Sequence, residues 1–308
     1  MTPEYVTCAN IVIDDIVLAD GHSWMNILGG AGTHALCGMR IWSDQLGYVA
    51  SVGEDFDPQH RAELLALGVD LSGVKVCPEY QTARCWQIFE WNERRTEIFR
   101  TSEEAFYRLT PRFEDIPPAY LAAKGFHMLS STMSELLALI ERLQAANPNL
   151  YLAWEPSPLQ LTATPEEMQA ALPRVTVFSP NQGDAQTITG TATPEQAVEK
   201  LLHWGAPIVA LRMGADGSMI ATASGERYLI PAVPPNALVD MTGAGNAYVG
   251  GLLVGLSRGL SPVEAGAYGA VSASFALEQF GLIRISPELQ TKSAHRLAWA
   301  QSRIEQIA

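Results

Sequence analysis

The sequence predicts an α/β fold built on a central, mostly parallel sheet buried on both faces. Three observations carry this prediction. Between Gly125 and Leu211, short apolar segments alternate with helical ones, the pattern of right-handed βαβ units. Hydrophobic residues make up 47% of the 308 residues, ample for a buried core. No internal repeat, low-complexity run or linker divides the chain, so residues 1–308 read as one domain.

The elements follow in order. Tyr5–Ile13 is apolar and β-branched and reads as a strand, with Asp14 and Asp15 at its end. A polar stretch, Asp20–Asn26, leads to Gly29-Gly30-Ala31-Gly32 and a helix from Thr33 to about Trp42. Leu46–Val52 is a strand, and Pro58–Leu67 is a helix opened by proline in its first turn. Thr82–Thr101 is rich in β-formers and broken by Asn92-Glu93-Arg94-Arg95, a hairpin signal that carries Trp86, Phe89, Trp91 and Phe99. This hairpin does not suit a parallel sheet and is assigned to a small β lid, with lid segments at about 14–28 and 80–103. The regular series follows: strands at Phe126–Leu129, Leu150–Trp154, Val175–Phe178 and Ile208–Leu211, and helices at Ser134–Ala145, Pro165–Leu172 and Pro194–Trp204. A second hairpin at Gly217–Pro231 precedes helices at Gly243–Leu256 and Ser261–Phe280.

The formal net charge of −13 disfavours nucleic acid and anionic membrane as partners. It leaves room for an anionic ligand in a local, donor-rich pocket. No run approaches the ~20 apolar residues of a membrane span. The N-terminus lacks the basic-then-apolar pattern of a secretory signal. Cys8, Cys37, Cys77 and Cys85 show no C-x-x-C or zinc-ligand spacing and read as reduced thiols of a cytoplasmic protein. The histidines show no H-E-x-x-H.

The strongest chemical signal is Asp240-Met241-Thr242-Gly243-Ala244-Gly245-Asn246, a glycine-containing loop opening an apolar helix. Glycine lets a backbone approach a ligand closely, and the free N–H groups and dipole of a helix N-terminus favour an anion. The same pattern also serves a tight turn into a close-packed helix.

This loop resembles the D-T-x-G-A-G-D motif of the ribokinase (PfkB) carbohydrate kinases, and four further landmarks agree in order. Gly29-Gly30 before a helix resembles the family's sugar-contacting double glycine. Leu46-Gly47-Tyr48-Val49-Ala50-Ser51-Val52-Gly53-Glu54-Asp55-Phe56 resembles its LG-x-V-G-x-D-x-F stretch. Asn181-Gln182-Gly183-Asp184 resembles its N-x-x-E element, with Asp for Glu, and Met213-Gly214-Ala215-Asp216-Gly217 resembles its nucleotide loop. The resemblance spans nearly the whole chain and implies a ribokinase-like three-layer sandwich, with ATP at the C-terminal ends of the sheet strands and an acceptor beneath the lid. Residue by residue, it implies that Gly243, Ala244, Gly245 and Asn246 face the transferring phosphate, Asn246 standing at the catalytic-base position. Asp14 or Asp15, with Gly29, Gly30 and His34, would hold the acceptor, while Asn181, Asp184, Arg212, Gly214 and Gly217 would line ATP. Asp184 would organise Mg²⁺ through water, and Asp240 with the Thr242 carbonyl would lie at a monovalent-cation (K⁺) site.

The departures from the family pattern are as informative. The family's closing Asp, which accepts the acceptor-hydroxyl proton, is Asn246, and an amide cannot take that proton. Loss of a positioned base typically reduces rate by ~10²–10⁴-fold, while positioning and charge stabilisation survive it. Where the family often has Asn in the first helix, Asp-x-Asn after a central strand, and Thr before the nucleotide-loop glycine, this chain has His34, Glu155-Pro156-Ser157 and Arg212. The sequence therefore implies ATP-dependent phosphorylation of a hydroxyl on a sugar, nucleoside or related polyol, impaired or substrate-trapping at Asn246. The alternative is an inactive pseudokinase that binds nucleotide or sugar and regulates a partner. Trp24, Trp86, Phe89 and Trp91 suggest an acceptor with a flat or apolar part, and equally a lid–lid homodimer interface.

Overall fold

The computed structural model describes residues 2–91, 95–129 and 132–307. In chain order the elements begin β1 (Tyr5–Cys8), β2 (Val12–Val17), β3 (Ser23–Gly29), α1 (Ala31–Arg40), β4 (Leu46–Val52), α2 (Pro58–Ala66), β5 (Val69–Val76), β6 (Ala83–Phe89), β7 (Arg95–Phe99) and α3 (Glu103–Leu109). They continue with β8 (Gly125–Met128), α4 (Met133–Ala146), β9 (Tyr151–Trp154), α5 (Pro165–Ala171), β10 (Val177–Phe178), α6 (Gln182–Thr189), α7 (Pro194–His203) and β11 (Ile208–Arg212). The last are β12 (Ser218–Thr222), β13 (Arg227–Ile230), α8 (Ala244–Ser257), α9 (Pro262–Ala276), α10 (Leu289–Gln301) and β14 (Glu305–Gln306).

The main sheet runs β14-β13-β12-β11-β10-β9-β8-β1-β4-β5. From β5 to β11 every neighbouring pair is parallel, and β12, β13 and β14 close one edge antiparallel. Strand alternation splits the side chains between two cores. Tyr5, Tyr48, Ala153 and Val177 pack with α1, α8 and α9, whereas their neighbours Val6, Val49, Trp154 and Phe178 pack with α4, α5 and α7. Helices on both faces make the expected three layers.

A separate four-stranded sheet, β3-β2-β6-β7, forms the lid. The continuous apolar run at Tyr5–Ile13 conceals its origin. That run is two strands in two sheets, and residues 9–11 make the crossing, where the Asn10 side chain donates to the Phe106 carbonyl at 3.1 Å. Asp14 and Asp15 therefore lie inside β2 rather than at the end of a core strand. Most of the polar stretch at 20–26 is likewise strand. His22 N–H donates to Asp20 Oδ1 in the β2–β3 turn, and Ser23 already pairs with Val17. The turn at Asn92-Glu93-Arg94 lies outside the described residues, but β6 and β7 pair antiparallel from Cys85–Phe99 to Phe89–Arg95.

Three helices escape the sequence pattern. α6 starts immediately after Asn181, whose side chain caps it by accepting from Asp184 N–H at 2.8 Å. α3 is short and only Leu109 is buried, and α10 buries little besides Leu289, Ser293 and Ala300, so neither carries a strong apolar stripe.

Candidate active site

The C-terminal ends of the main-sheet strands face the lid across a cavity of about 840 Å³. Its floor comes from loops of the main sheet: Glu155, Pro156 and Ser157 after β9, Asn181 and Asp184 around the start of α6, Arg212 at the end of β11, and Met241, Thr242, Gly243, Gly245 and Asn246 at the start of α8. Its roof comes from the lid and α3, including Asp14, Gln87, Arg95, Glu97, Phe99 and Phe106.

The loop into α8 is shaped by its glycines. Gly243 is the N-cap, with φ +76°, in the left-handed region that an L side chain adopts only with strain. The His34 ring occupies the space where a Cβ at 243 would lie, and the Arg212 guanidinium occupies that of a Cβ at 245. No side chain caps α8 and its first turn holds no acid; Ala244 N–H donates to the Met241 carbonyl at 3.4 Å, and Gly243, Gly245 and Asn246 line the cavity. The loop itself is braced by Thr242 N–H donating to Asp240 Oδ1 at 2.9 Å and by Val239 N–H donating to the Leu277 carbonyl at 2.8 Å. Two buried polar atoms against this loop have no hydrogen-bond partner, His34 Nε2 and Arg212 Nε. Such atoms are rare in native interiors and point to a ligand that completes them.

A polar chain runs from the core to this loop. Thr7 Oγ1 meets His127 Nδ1 at 2.8 Å, and His127 Nε2 meets Glu155 Oε2 at 3.1 Å. A carboxylate only accepts, so His127 Nε2 carries the proton. Glu155 Oε1 pairs with Arg212 Nη1 at 2.7 Å, Arg212 Nη2 donates to the Ser179 carbonyl at 3.0 Å, and the Asn246 side-chain amide also bonds Glu155. Burial alone would raise the Glu155 carboxyl, but Arg212, His127 and Asn246 together bring it down to about 2. Glu155 is thus a buried, permanently ionised group beside the expected base position.

In the lid, Asp14 and Asp15 part company. Asp14 lines the cavity, accepts from Gln87 Nε2 at 3.1 Å, and occupies the space a Cβ at Gly29 would take. Burial pushes its carboxyl up to about 7, against the pull of the Gln87 bond. Asp15 accepts from Asn26 N–H at 2.9 Å and pairs with Arg100 at 3.0 Å, outside the cavity lining. A bulge between Asp14 and Ile16, with Asn26 at φ 61°, separates the two environments.

Of the other expected site residues, Gly30, His34, Asn181, Asp184, Arg212, Thr242, Gly243, Gly245 and Asn246 line the cavity, and Gly29 borders it through Asp14. Ala244 and Asp240 belong to the same loop without lining it. Gly214 and Gly217 lie in the turn beyond Arg212, outside this lining, with φ 63° and 86°. The aromatic side chains that reach the cavity are Phe99, Phe106 and Tyr107. The expected ones do not. Phe89 is buried, Trp91 lies beyond β6 and is 82% exposed, and Trp24 stacks on Phe280 at 4.1 Å in a different hollow. Sequence reasoning missed Thr7, His127, Gln87, Arg95 and Glu97; the signal available was a histidine inside the apolar strand β8.

Asn181 and Asp184 present oxygen donors, their side chains joined by Asn181 Nδ2 donating to Asp184 Oδ2 at 2.7 Å. Burial raises the Asp184 carboxyl, with Arg212 opposing. A hard divalent cation bound through water suits such a set. Asp240, raised by burial against its bonds from Thr242, offers carboxylate oxygens for a monovalent ion. Among the described residues, no group of three His, Cys, Asp or Glu side chains gathers to hold a metal, and no helix is long and apolar enough to cross a membrane.

The fold and the glycine loop that opens α8 are those of the ribokinase class of small-molecule kinases. The chain belongs to the pfkB family of carbohydrate kinases, whose family model matches residues 8–289. It is similar to the cytidine kinase of Thermococcus kodakarensis, at 26% identity over 90% of this chain and 97% of that protein. Its fold matches the nucleoside kinase of Burkholderia thailandensis solved with inosine, with TM-score 0.79, 17% identity, and coverage of 97% of this chain and 98% of that one. It also matches a putative ribokinase II from E. coli solved with ATP and Mg²⁺, with TM-score 0.74, 19% identity, and coverage of 98% and 99%.

Proposed function

We propose that this chain transfers the terminal phosphoryl group of ATP to a hydroxyl of a sugar, nucleoside or related small molecule. The observation that carries this reading is the uncapped N-terminus of α8, open to the same cavity as the buried carboxylate Asp14. In this reading residues 1–308 act as one catalytic domain. Gly243, Ala244, Gly245 and Asn246 offer main-chain N–H groups to the phosphates, and Asn181, Asp184, Arg212, Gly214 and Gly217 line the nucleotide. Asp14, Gly29, Gly30 and His34 hold the acceptor, with Phe99 and Phe106 beside it; Asp15 braces the lid. Mg²⁺, held through water by Asp184, supplies charge neutralisation on the phosphates, and Asp240 with Thr242 would hold K⁺. The exposed lid side chains Trp91 and Ile98 suit a homodimer interface.

A second reading is a nucleotide- or sugar-binding regulatory module, favoured by Asn246 alone, because an amide keeps the site's shape without its basicity. The test is to incubate the protein with Mg-ATP and a panel of sugars, polyols and nucleosides, and to follow ADP and phosphorylated product. Turnover with any acceptor supports the kinase. Nucleotide binding without turnover across the panel supports the regulatory module.

A further inference from the structure

We propose that Arg212 is a catalytic residue that contacts the transferring phosphoryl group, and that Glu155 is the positioning residue that holds it against the α8 loop. This rests on the phosphotransferase reading above and assigns two of its residues new roles.

The geometry is specific. Arg212 ends β11, yet its guanidinium does not reach into solvent: it turns across the cavity floor and lies against Gly245, in the first turn of α8. The side chain is only 13% exposed, and two of its nitrogens are committed, one to Glu155 Oε1 at 2.7 Å and one to the Ser179 carbonyl at 3.0 Å. Its Nε is buried with no partner. The guanidinium and the first turn of α8, a 14-residue helix, line the same cavity. A fixed cation and a helix N-terminus each favour an anion there, and a phosphoryl group suits both.

Glu155 explains how the cation stays there. Its carboxylate is itself anchored by His127, which is anchored by Thr7, so the guanidinium is tied through three buried side chains to β1 of the main sheet. Asn246 closes the arrangement from the α8 side by bonding the same carboxylate.

In the transfer, a lone pair of the acceptor oxygen forms the new P–O bond, and the P–O bond to ADP breaks with its electron pair remaining on ADP. The acceptor proton passes to a phosphoryl oxygen, since position 246 carries no base. In a loose transition state that proton leaves late, so charge on the equatorial oxygens is the larger demand, and Arg212 meets it.

The experiment measures calorimetric affinities for Mg-ATP and Mg-ADP in the wild type, Arg212→Ala, Arg212→Lys, Glu155→Gln and the Arg212→Ala/Glu155→Gln double variant. Thermal melts check that each is folded. Arg212→Ala is expected to weaken ATP by ~10–100-fold while ADP changes by less than about threefold, the size of a lost charged hydrogen bond. Arg212→Lys keeps the charge but not the fork, and should fall between; it serves as the test if the alanine variant does not fold. Glu155→Gln should weaken ATP less than Arg212→Ala, and add nothing in the Arg212→Ala background. Equal losses for ATP and ADP, or a Glu155→Gln effect that persists undiminished in the double variant, would overturn the assignment. A wild type that binds neither nucleotide would instead sink the phosphotransferase reading, and this inference with it.

Discussion

The side-chain amide of Asn246 is hydrogen-bonded to the carboxylate of Glu155, which Arg212 also grips at 2.7 Å. An amide can donate to that carboxylate; an aspartate at 246 could not. Asn246→Asp therefore does not simply restore a base. It sets two carboxylates in contact, and such a pair releases its second proton at a raised apparent pKa. The variant's phosphorylation rate should rise with pH toward a plateau above the usual carboxylate range, and its melting temperature near neutral pH should fall. Initial rates from pH 5 to 9 test this. A gain that is already complete at pH 5 would show that the two carboxylates do not interact.

Asp14 and His34 should shape stability in opposite directions. The Asp14 carboxyl is raised by burial to about 7 from 3.8, so the folded state retains a proton that the unfolded chain loses. Its contribution is fully present below about pH 4 and is lost as pH rises toward about 7. His34 is lowered by burial to about 4 from 6.5, so its contribution is present above about pH 6.5 and lost as pH falls toward about 4. Relative to the wild type, Asp14→Asn should gain stability as pH rises from 4 to 7. His34→Gln should gain as pH falls over the same range. Urea titrations at several pH values check both slopes, and parallel curves for wild type and variants would refute them.

The two adjacent acidic residues of β2 should separate functionally. Asp14→Asn should remove most acceptor affinity, because Asp14 faces the cavity. Asp15→Asn should leave that affinity within about threefold and lower the melting temperature, because it loses the Arg100 pair, in which Asp15 is 1% exposed. Calorimetry with a substrate found in the acceptor panel decides; an equal loss for both variants would be the contrary result.

Gly243→Ala should destabilise the fold by roughly 1–3 kcal/mol, since it forces a left-handed residue and also meets the His34 ring. In a His34→Ala background the steric part is relieved and the backbone part remains. Chemical denaturation of the four proteins of this cycle should show partial, not full, recovery.

Phe99 meets Phe106 edge to face at 5.0 Å inside the cavity. Phe99→Ala should weaken a nucleoside by about tenfold and leave a bare pentose unchanged, as a stacking contact of ~1–3 kcal/mol implies. If both ligands lose equally, the ring supports the lid rather than the acceptor.

The parallel sheet, most of the flanking helices and the glycine loop before α8 were legible in the sequence because their signals are local: short apolar runs, a proline in a first turn, two glycines before an apolar helix. The lid was legible only in outline. Cys8 and Val12 belong to different sheets, and the one break between them is Asn10, a single polar residue whose role is set by a distant carbonyl at Phe106. The Glu155–Arg212–His127 chain was hidden for the same reason. It joins residues 28 and more positions apart, and a buried ion pair leaves no periodic trace. Trp91 shows the converse, a residue conspicuous in the sequence that lies exposed at the edge of the lid.

The cavity's two walls belong to different hydrogen-bonded sheets: Asp14, Gln87 and Phe99 ride on β2, β6 and β7, whereas Glu155, Arg212 and Asn246 are rooted in the main sheet and α8. The β2–β6 backbone ladder is complete within the smaller sheet, so a substitution there can redraw one wall without moving the other. On the proposed reading, the share of acceptor recognition carried by the lid is then separable from the handling of the phosphate, while Gly30 and His34 tie the rest to α1. Such a chain could acquire a new substrate by drift in some 35 lid residues, roughly the span from 12 to 29 with that from 83 to 99, while its chemistry stays fixed.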